Sequence, residues 1–177
     1  MPRRERNKFV KKNQVLELKV EDYAFGGKGI ARIHSEEGSF VVFIPNTLPG
    51  QLVKAQINKS SKNYAEAKLI AVLEPSKDEI EVPFQDIPGA PYIQLPIELQ
   101  HKYKKESTLS LFKKIGKVEN IADLFDEFVT SPNVFHYRNK MEYGFSAIGY
   151  DRETKRDKDE FTLGFKRRGV WWIGDDL

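Results

Sequence analysis

The stretch Val20-Glu-Asp-Tyr-Ala-Phe-Gly-Gly-Lys-Gly-Ile-Ala-Arg32 decides how the first part of this chain folds. Two adjacent glycines, Gly26 and Gly27, interrupt it. Glycine enters positive φ without a Cβ penalty, so a tight turn is expected there. Before the turn, Leu16, Leu18 and Val20 alternate with Glu17, Lys19 and Glu21. A period of two places one face of a strand on a core and the other in water. After the turn, Gly29 and Ala31 are small enough for a returning strand to pack closely, which sends Lys28 and Arg32 toward an exposed rim.

The alternation recurs further along. Phe40, Val42 and Ile44 repeat it, Val53, Ala55 and Ile57 alternate with Lys54, Gln56 and Asn58, and Ala65, Ala67 and Leu69 with Glu66 and Lys68. Glu36-Glu37-Gly38, Pro49-Gly50 and Ser60-Ser61 supply turns between the runs. Short strands so closely spaced over residues 14–73 predict a small closed barrel, because closure leaves no exposed edge. Residues 1–13 precede it as a basic arm, in which Arg3, Arg4, Arg6, Lys8, Lys11 and Lys12 face Glu5 alone. Such an arm suits loose contact with phosphates, and equally a solvated tail.

Residues 74–96 hold Pro75, Pro83, Pro88, Pro91 and Pro96, which remove backbone donors and fix φ, so an extended linker is expected. Leu99, Tyr103, Ser107, Leu111 and Ile115 then recur at helical steps over 97–115, with Pro96 at the start and Gly116 at the exit. Lys102, Lys104, Lys105, Lys113 and Lys114 lie mostly off that stripe. Strand character returns over 137–148 and 160–173, and hydrophilic Asp151–Glu160 reads as an exposed hairpin loop. The expected architecture is a β-rich α+β chain: an OB-like barrel, then a 97–177 domain with one long helix and an antiparallel sheet.

Composition excludes several chemistries. The 177 residues include no cysteine, which removes disulfides, thiolate metal sites, iron–sulfur ligation and cysteine nucleophiles. With only His34, His101 and His136, a multi-histidine metal site is not expected. No apolar run is long enough for a membrane span, and the charged N-terminus lacks the apolar segment of a secretory signal, so a cytoplasmic location is expected.

The ordered set Val20–Arg32, Phe43-Ile-Pro45, Leu48-Pro-Gly50 and Val53-Lys-Ala-Gln-Ile57 resembles a TRAM domain, a small RNA-binding barrel attached to RNA-modifying enzymes. Ser131-Pro132 followed by Tyr137-Arg-Asn-Lys-Met-Glu-Tyr-Gly-Phe145, and then Leu163-Gly-Phe-Lys-Arg-Arg-Gly169, resemble the central domain of the RNA uracil-C5-methyltransferases; the helix with Gln100 and Lys104 matches the one that opens that domain. The resemblance implies that the chain is the N-terminal, RNA-binding part of an S-adenosylmethionine-dependent tRNA or rRNA methyltransferase.

Two departures matter. Members of that family often hold an iron–sulfur cluster through a Cys-Gly-Gly-Cys segment before the helix; here Ile87-Pro-Gly-Ala90 stands in its place and Asp175 lies near the later position, so no cluster is expected. The family's reaction needs a cysteine thiolate to attack carbon 6 of uracil, and this chain has none. It also shows no alternating strand–helix cofactor fold, so S-adenosylmethionine is expected only in a full-length member, and the chain alone is expected to be inactive.

The resemblance places RNA contacts on Lys28 and Arg32 of the barrel, and on Arg138, Lys140, Phe165, Lys166, Arg167 and Arg168 beyond it. As one strand over 137–145, Arg138, Lys140 and Glu142 would share a face, where the cations either hold phosphates or pair with Glu142 or Glu160. Phe165 reads either as a stacking platform or as a core residue. Two other functions stand beside the first: a stand-alone, non-catalytic RNA-binding protein, and a protein-interaction module completed by a partner chain through an uncovered sheet and Trp171 and Trp172.

Overall fold

The computed structural model describes residues 9–36, 38–82, 90–151, 153–166 and 174–176. Five strands make the barrel: β1 (Val15–Tyr23), β2 (Gly29–Ser35), β3 (Gly38–Ile44), β4 (Leu52–Ser60) and β5 (Tyr64–Glu74). They close in the order β1-β2-β3-β5-β4. All neighbours are antiparallel except β3 and β5, which run parallel. This is the small OB-like barrel that the alternating pattern predicts.

The inward residues are those the period of two selects. Val20, Ala31, Phe40, Val42, Ile44, Val53, Ala55, Ile57, Ala65 and Ala67 are all buried in one core. Burying each of the larger aliphatic or aromatic side chains contributes about 1.5–3 kcal/mol before chain entropy is counted. The core extends past the expected start of the barrel. Val10 is buried in it, and the Phe9 ring stacks on Phe40 with centroids 4.9 Å apart. Backbone N–H of Asn13 donates to Ile57 O at 2.7 Å, and the Ser60 hydroxyl donates to Val10 O at 3.2 Å. The free-arm expectation therefore does not hold for residues 9–13; residues 1–8 lie outside the described ones.

The β1–β2 turn has Gly26 at φ +89° and Gly27 at φ +83°. It is closed by Gly27 N–H donating to Ala24 O and by Ala24 N–H donating to Lys28 O. Gly29 is needed for a different reason: a Cβ there would lie 2.1 Å from Thr47 Oγ1.

The chain divides into two compact units, residues 1–81 with 94–129, and residues 82–93 with 130–177. Helix α1 (Ile97–Lys114) thus belongs with the barrel, which corrects the expected 97–177 grouping. The physical reason is its docking on β1, where Tyr103 meets Tyr23 edge to ring at 5.2 Å. Partial burial pushes the Tyr103 hydroxyl pKa up, helped by Asp22, Asp78 and Glu106. The expected stripe is covered at Ser107, half-covered at Leu99, Tyr103 and Leu111, and open at Ile115. Pro96 does begin the helix, but the positive φ past its end belongs to Lys117, at +58°; Gly116 fits because a Cβ there would lie 2.6 Å from Phe112 O. One further helical turn, α2 (Ile121–Leu124), follows.

Within the proline-rich segment, residues 75–81 and 94–96 are fixed to the barrel unit rather than loosely extended. Glu79 accepts hydrogen bonds from Gln51 Nε2 at 2.9 Å, Gln94 Nε2 at 3.0 Å and Ser76 N–H at 3.3 Å. Gln51 in turn accepts from Leu48 N–H at 2.8 Å. Residues 83–89, with most of the Ile87–Ala90 segment, lie outside the described residues.

In the second unit, β6 (Gly144–Asp151) and β7 (Arg156–Lys166) form an antiparallel hairpin. Strand β8 (Gly174–Asp176) runs antiparallel to β7 and bridges β6 at Gly149. The expected loop over 151–160 is therefore mostly strand. Its polar residues pair across the hairpin, Tyr150 with Asp157 and Gly149 with Lys158, without an apolar face to reveal them. Asp151 organises the short turn: backbone N–H groups of Thr154 and Glu153, with the Thr154 hydroxyl, hold its carboxyl below the usual carboxylate range. The expected strand over 137–143 is absent, since regular structure begins only at Gly144. No helix among the described residues is long and apolar enough to cross a membrane.

Candidate nucleic-acid interface

On the barrel, strand alternation puts Arg32, Val41, Phe43 and Tyr64 outside because Ala31, Val42, Ile44 and Ala65 are inside. Register then aligns them across three strands. Arg32 lies opposite Val41, and Val41 opposite Tyr64; Ile30 lies opposite Phe43, and Phe43 opposite Glu66. The Phe43 and Tyr64 rings meet edge to face with centroids 5.8 Å apart.

Cations border this patch, each with a carboxylate. Arg32 bonds Glu21 of the neighbouring strand, and His34 Nε2 lies 4.0 Å from the same carboxylate. Lys59 Nζ lies 3.3 Å from Glu66 Oε1 and 5.7 Å from the Tyr64 ring centroid. The bond to Glu66, and then the Tyr64 hydroxyl, raise the Lys59 pKa. All these partners face solvent at least in part, so the contacts are weak and readily exchanged. At one end, the β1–β2 turn exposes Lys28 and Phe25, the latter 60% exposed.

Lys28 and Arg32 thus sit on the rim as expected, although Arg32 is already paired. Sequence reasoning missed Phe43, Tyr64 and Lys59. The signal for Phe43 was available: it lies between Val42 and Ile44, both of which the alternation sends inward.

In the second unit, Arg138 and Lys140 are exposed but do not lie on a strand, so no pleat aligns them with Glu142. Lys140 nonetheless pairs with Glu142 at 2.8 Å, with both side chains at least 77% exposed. Arg138 Nη1 contacts Met141 Sδ at 4.0 Å. Phe165 is half-buried against the Tyr143 ring at 5.1 Å, and Lys166 Nζ donates to Phe145 O at 2.8 Å. The hairpin also shows an apolar face. Phe145 and Phe161 stack at 5.4 Å while 66% and 73% exposed, beside half-exposed Leu163. Arg167, Arg168, Trp171 and Trp172 lie outside the described residues. Among the described residues, no group of three or more histidine or acidic side chains is placed to hold a metal ion.

A TRAM-domain family model matches residues 10–70. Over 165 residues the chain is 33% identical to a protein named an uncharacterized RNA methyltransferase in Caldanaerobacter subterraneus, covering 91% of this chain and 33% of that protein. A protein of the same description in Chlorobaculum tepidum is 31% identical over 168 residues, covering 90% of this chain and 34% of its own length. One in Listeria monocytogenes is 34% identical over 137 residues, covering 76% and 29%. The chain therefore spans about a third of the length of the curated relatives it matches. The solution structure of a conserved protein of Methanococcus maripaludis is 34% identical, over 37% of this chain and 87% of that one, with a TM-score of 0.33.

Proposed function

From the premise that this is a TRAM-domain chain related along most of its length to RNA methyltransferases, we propose that it is the RNA-recognition part of a uracil-5-methyltransferase acting on tRNA or rRNA. The observation that carries this reading is the barrel itself, with an outward patch of aromatic and basic side chains on β2, β3 and β5. OB-like barrels bind oligonucleotides on this kind of surface. Arg138, Lys140 and Lys166 add positive charge in the second unit. Transfer of a methyl group from S-adenosylmethionine to uracil needs a nucleophile and a cofactor fold, and these 177 residues contain no cysteine. In this reading the chemistry comes from protein outside them, in the same polypeptide or a partner.

The test is a titration of a tRNA transcript and an rRNA hairpin at two salt concentrations. Affinity is expected to fall steeply with salt, because phosphate contacts release counterions. Arg138→Ala and Lys140→Ala are each expected to weaken binding a few-fold and to reduce the salt slope by about one. Absence of binding to both RNAs at low salt overturns the reading.

A further inference from the structure

The outside of the barrel is not uniform. On β1 it shows Glu17, Lys19 and Glu21, and on β4 Lys54, Gln56 and Asn58. On β2, β3 and the start of β5 it shows Ile30, Val41, Phe43 and Tyr64, all half-buried. An apolar patch rimmed by charge marks an interaction surface. Register places this one between two turns: residues 24–28 lie at the Ile44 end of β3, and residues 61–63 lead into Tyr64 opposite Val41.

We propose that Phe43 and Tyr64 form a stacking platform for unpaired RNA bases, with Arg32 and Lys59 receiving the adjoining phosphates and Glu21 and Glu66 holding those cations until RNA arrives. The proposal rests on the reading that this chain binds RNA; it adds where the bases lie and that the strand there is single. Every base has a π-face, so aromatic platforms accept single strands with little sequence preference. In a duplex those faces are already stacked and the platform has nothing to take. The chemistry of the rim fits the same occupant. Both cations are held by carboxylates of neighbouring strands in exposed pairs, and a phosphate offers the same oxygen acceptors with more charge.

The experiment uses the full chain, a labelled oligouridylate, and the duplex of that strand with oligoadenylate, followed by fluorescence anisotropy at two salt concentrations. Tyr64→Leu and Phe43→Leu keep apolar bulk and remove the ring, and thermal melts establish that the variants remain folded. Each is expected to weaken oligouridylate binding about tenfold, a typical loss for one stacked base, and to leave duplex binding unchanged. Glu66→Gln is expected to tighten oligouridylate binding a few-fold, because Lys59 then meets a phosphate without a competitor. If the wild type binds oligouridylate and folded Tyr64→Leu and Phe43→Leu bind it equally well, the platform is overturned while the RNA-binding reading stands. Wild-type binding to the duplex alone overturns the single-strand assignment. Weaker binding by Glu66→Gln overturns the placeholder role of the carboxylate. If the wild type binds neither of these probes nor the tRNA and rRNA hairpin, both proposals fall together.

Discussion

Gly29 shows how much one missing Cβ can decide. A methyl group there would meet Thr47 Oγ1 at 2.1 Å and Val20 Cγ1 at 2.9 Å. Thr47 cannot simply turn away, because its buried hydroxyl donates to Ile44 O at 2.8 Å. Gly29→Ala is expected to cost about 1–3 kcal/mol by overpacking, read as a lower denaturation midpoint. Adding Thr47→Ala should recover part of that loss, because it removes the closest atom. Recovery would be absent if the cost came from the backbone alone. The sequence announces that Gly29 permits a close approach. It does not announce Thr47, which lies just beyond β3 and is brought there by the pairing of Gly29 with Ile44. The same limit applies to Arg32. Alternation reveals its outward direction, whereas its bond to Glu21 depends on the β1–β2 register, which a bulge between Val20 and Asp22 shifts.

At the scale of elements, patterns were legible where one face is buried and silent elsewhere. The barrel strands follow their alternation because water lies on one side and the core on the other. Strand β7 begins at Arg156, within polar sequence exposed on both faces, so no periodicity marks it. Residues 137–143 show the reverse error: alternation is present, but no strand forms, since a ladder needs a partner as well as a pattern. The proline-rich segment offers a sharper test. Prolines indicate that it is irregular, not that it is loose, and Glu79 supplies the difference by accepting from Gln51, Gln94 and Ser76. Glu79→Ala leaves three donors without this acceptor in a partly buried place. It is expected to destabilise the barrel unit by about 1–3 kcal/mol and to speed amide exchange at Ser76. An unchanged denaturation midpoint would mean that water replaces the carboxylate at no cost.

At the scale of the whole molecule, the division into two units was only partly readable. The sequence separates barrel from helix at the prolines, but contacts return α1 to the barrel through Tyr103 and Tyr23, an aromatic pairing that no local pattern encodes. Composition bears directly on chemistry. With S-adenosylmethionine and a uridine-containing RNA, the 177-residue chain alone is expected to incorporate no methyl label, because it has no thiolate to attack the base. Carbon-5 methylation by this chain would contradict that mechanism. The order of strands around the barrel also governs how the molecule is made. Hairpin β2–β3 is local, but Val15 pairs with Gln56, and Val41 with Tyr64 in a parallel ladder. As the chain grows from its first residue, the β1–β2–β3 meander exists before either of its later neighbours, with both edges open. Closure waits for β4 and β5 and must first overcome the entropy of joining distant segments. Barrel closure is therefore expected to limit the rate of folding, and the interval before it to be when this protein is most prone to pair with another chain.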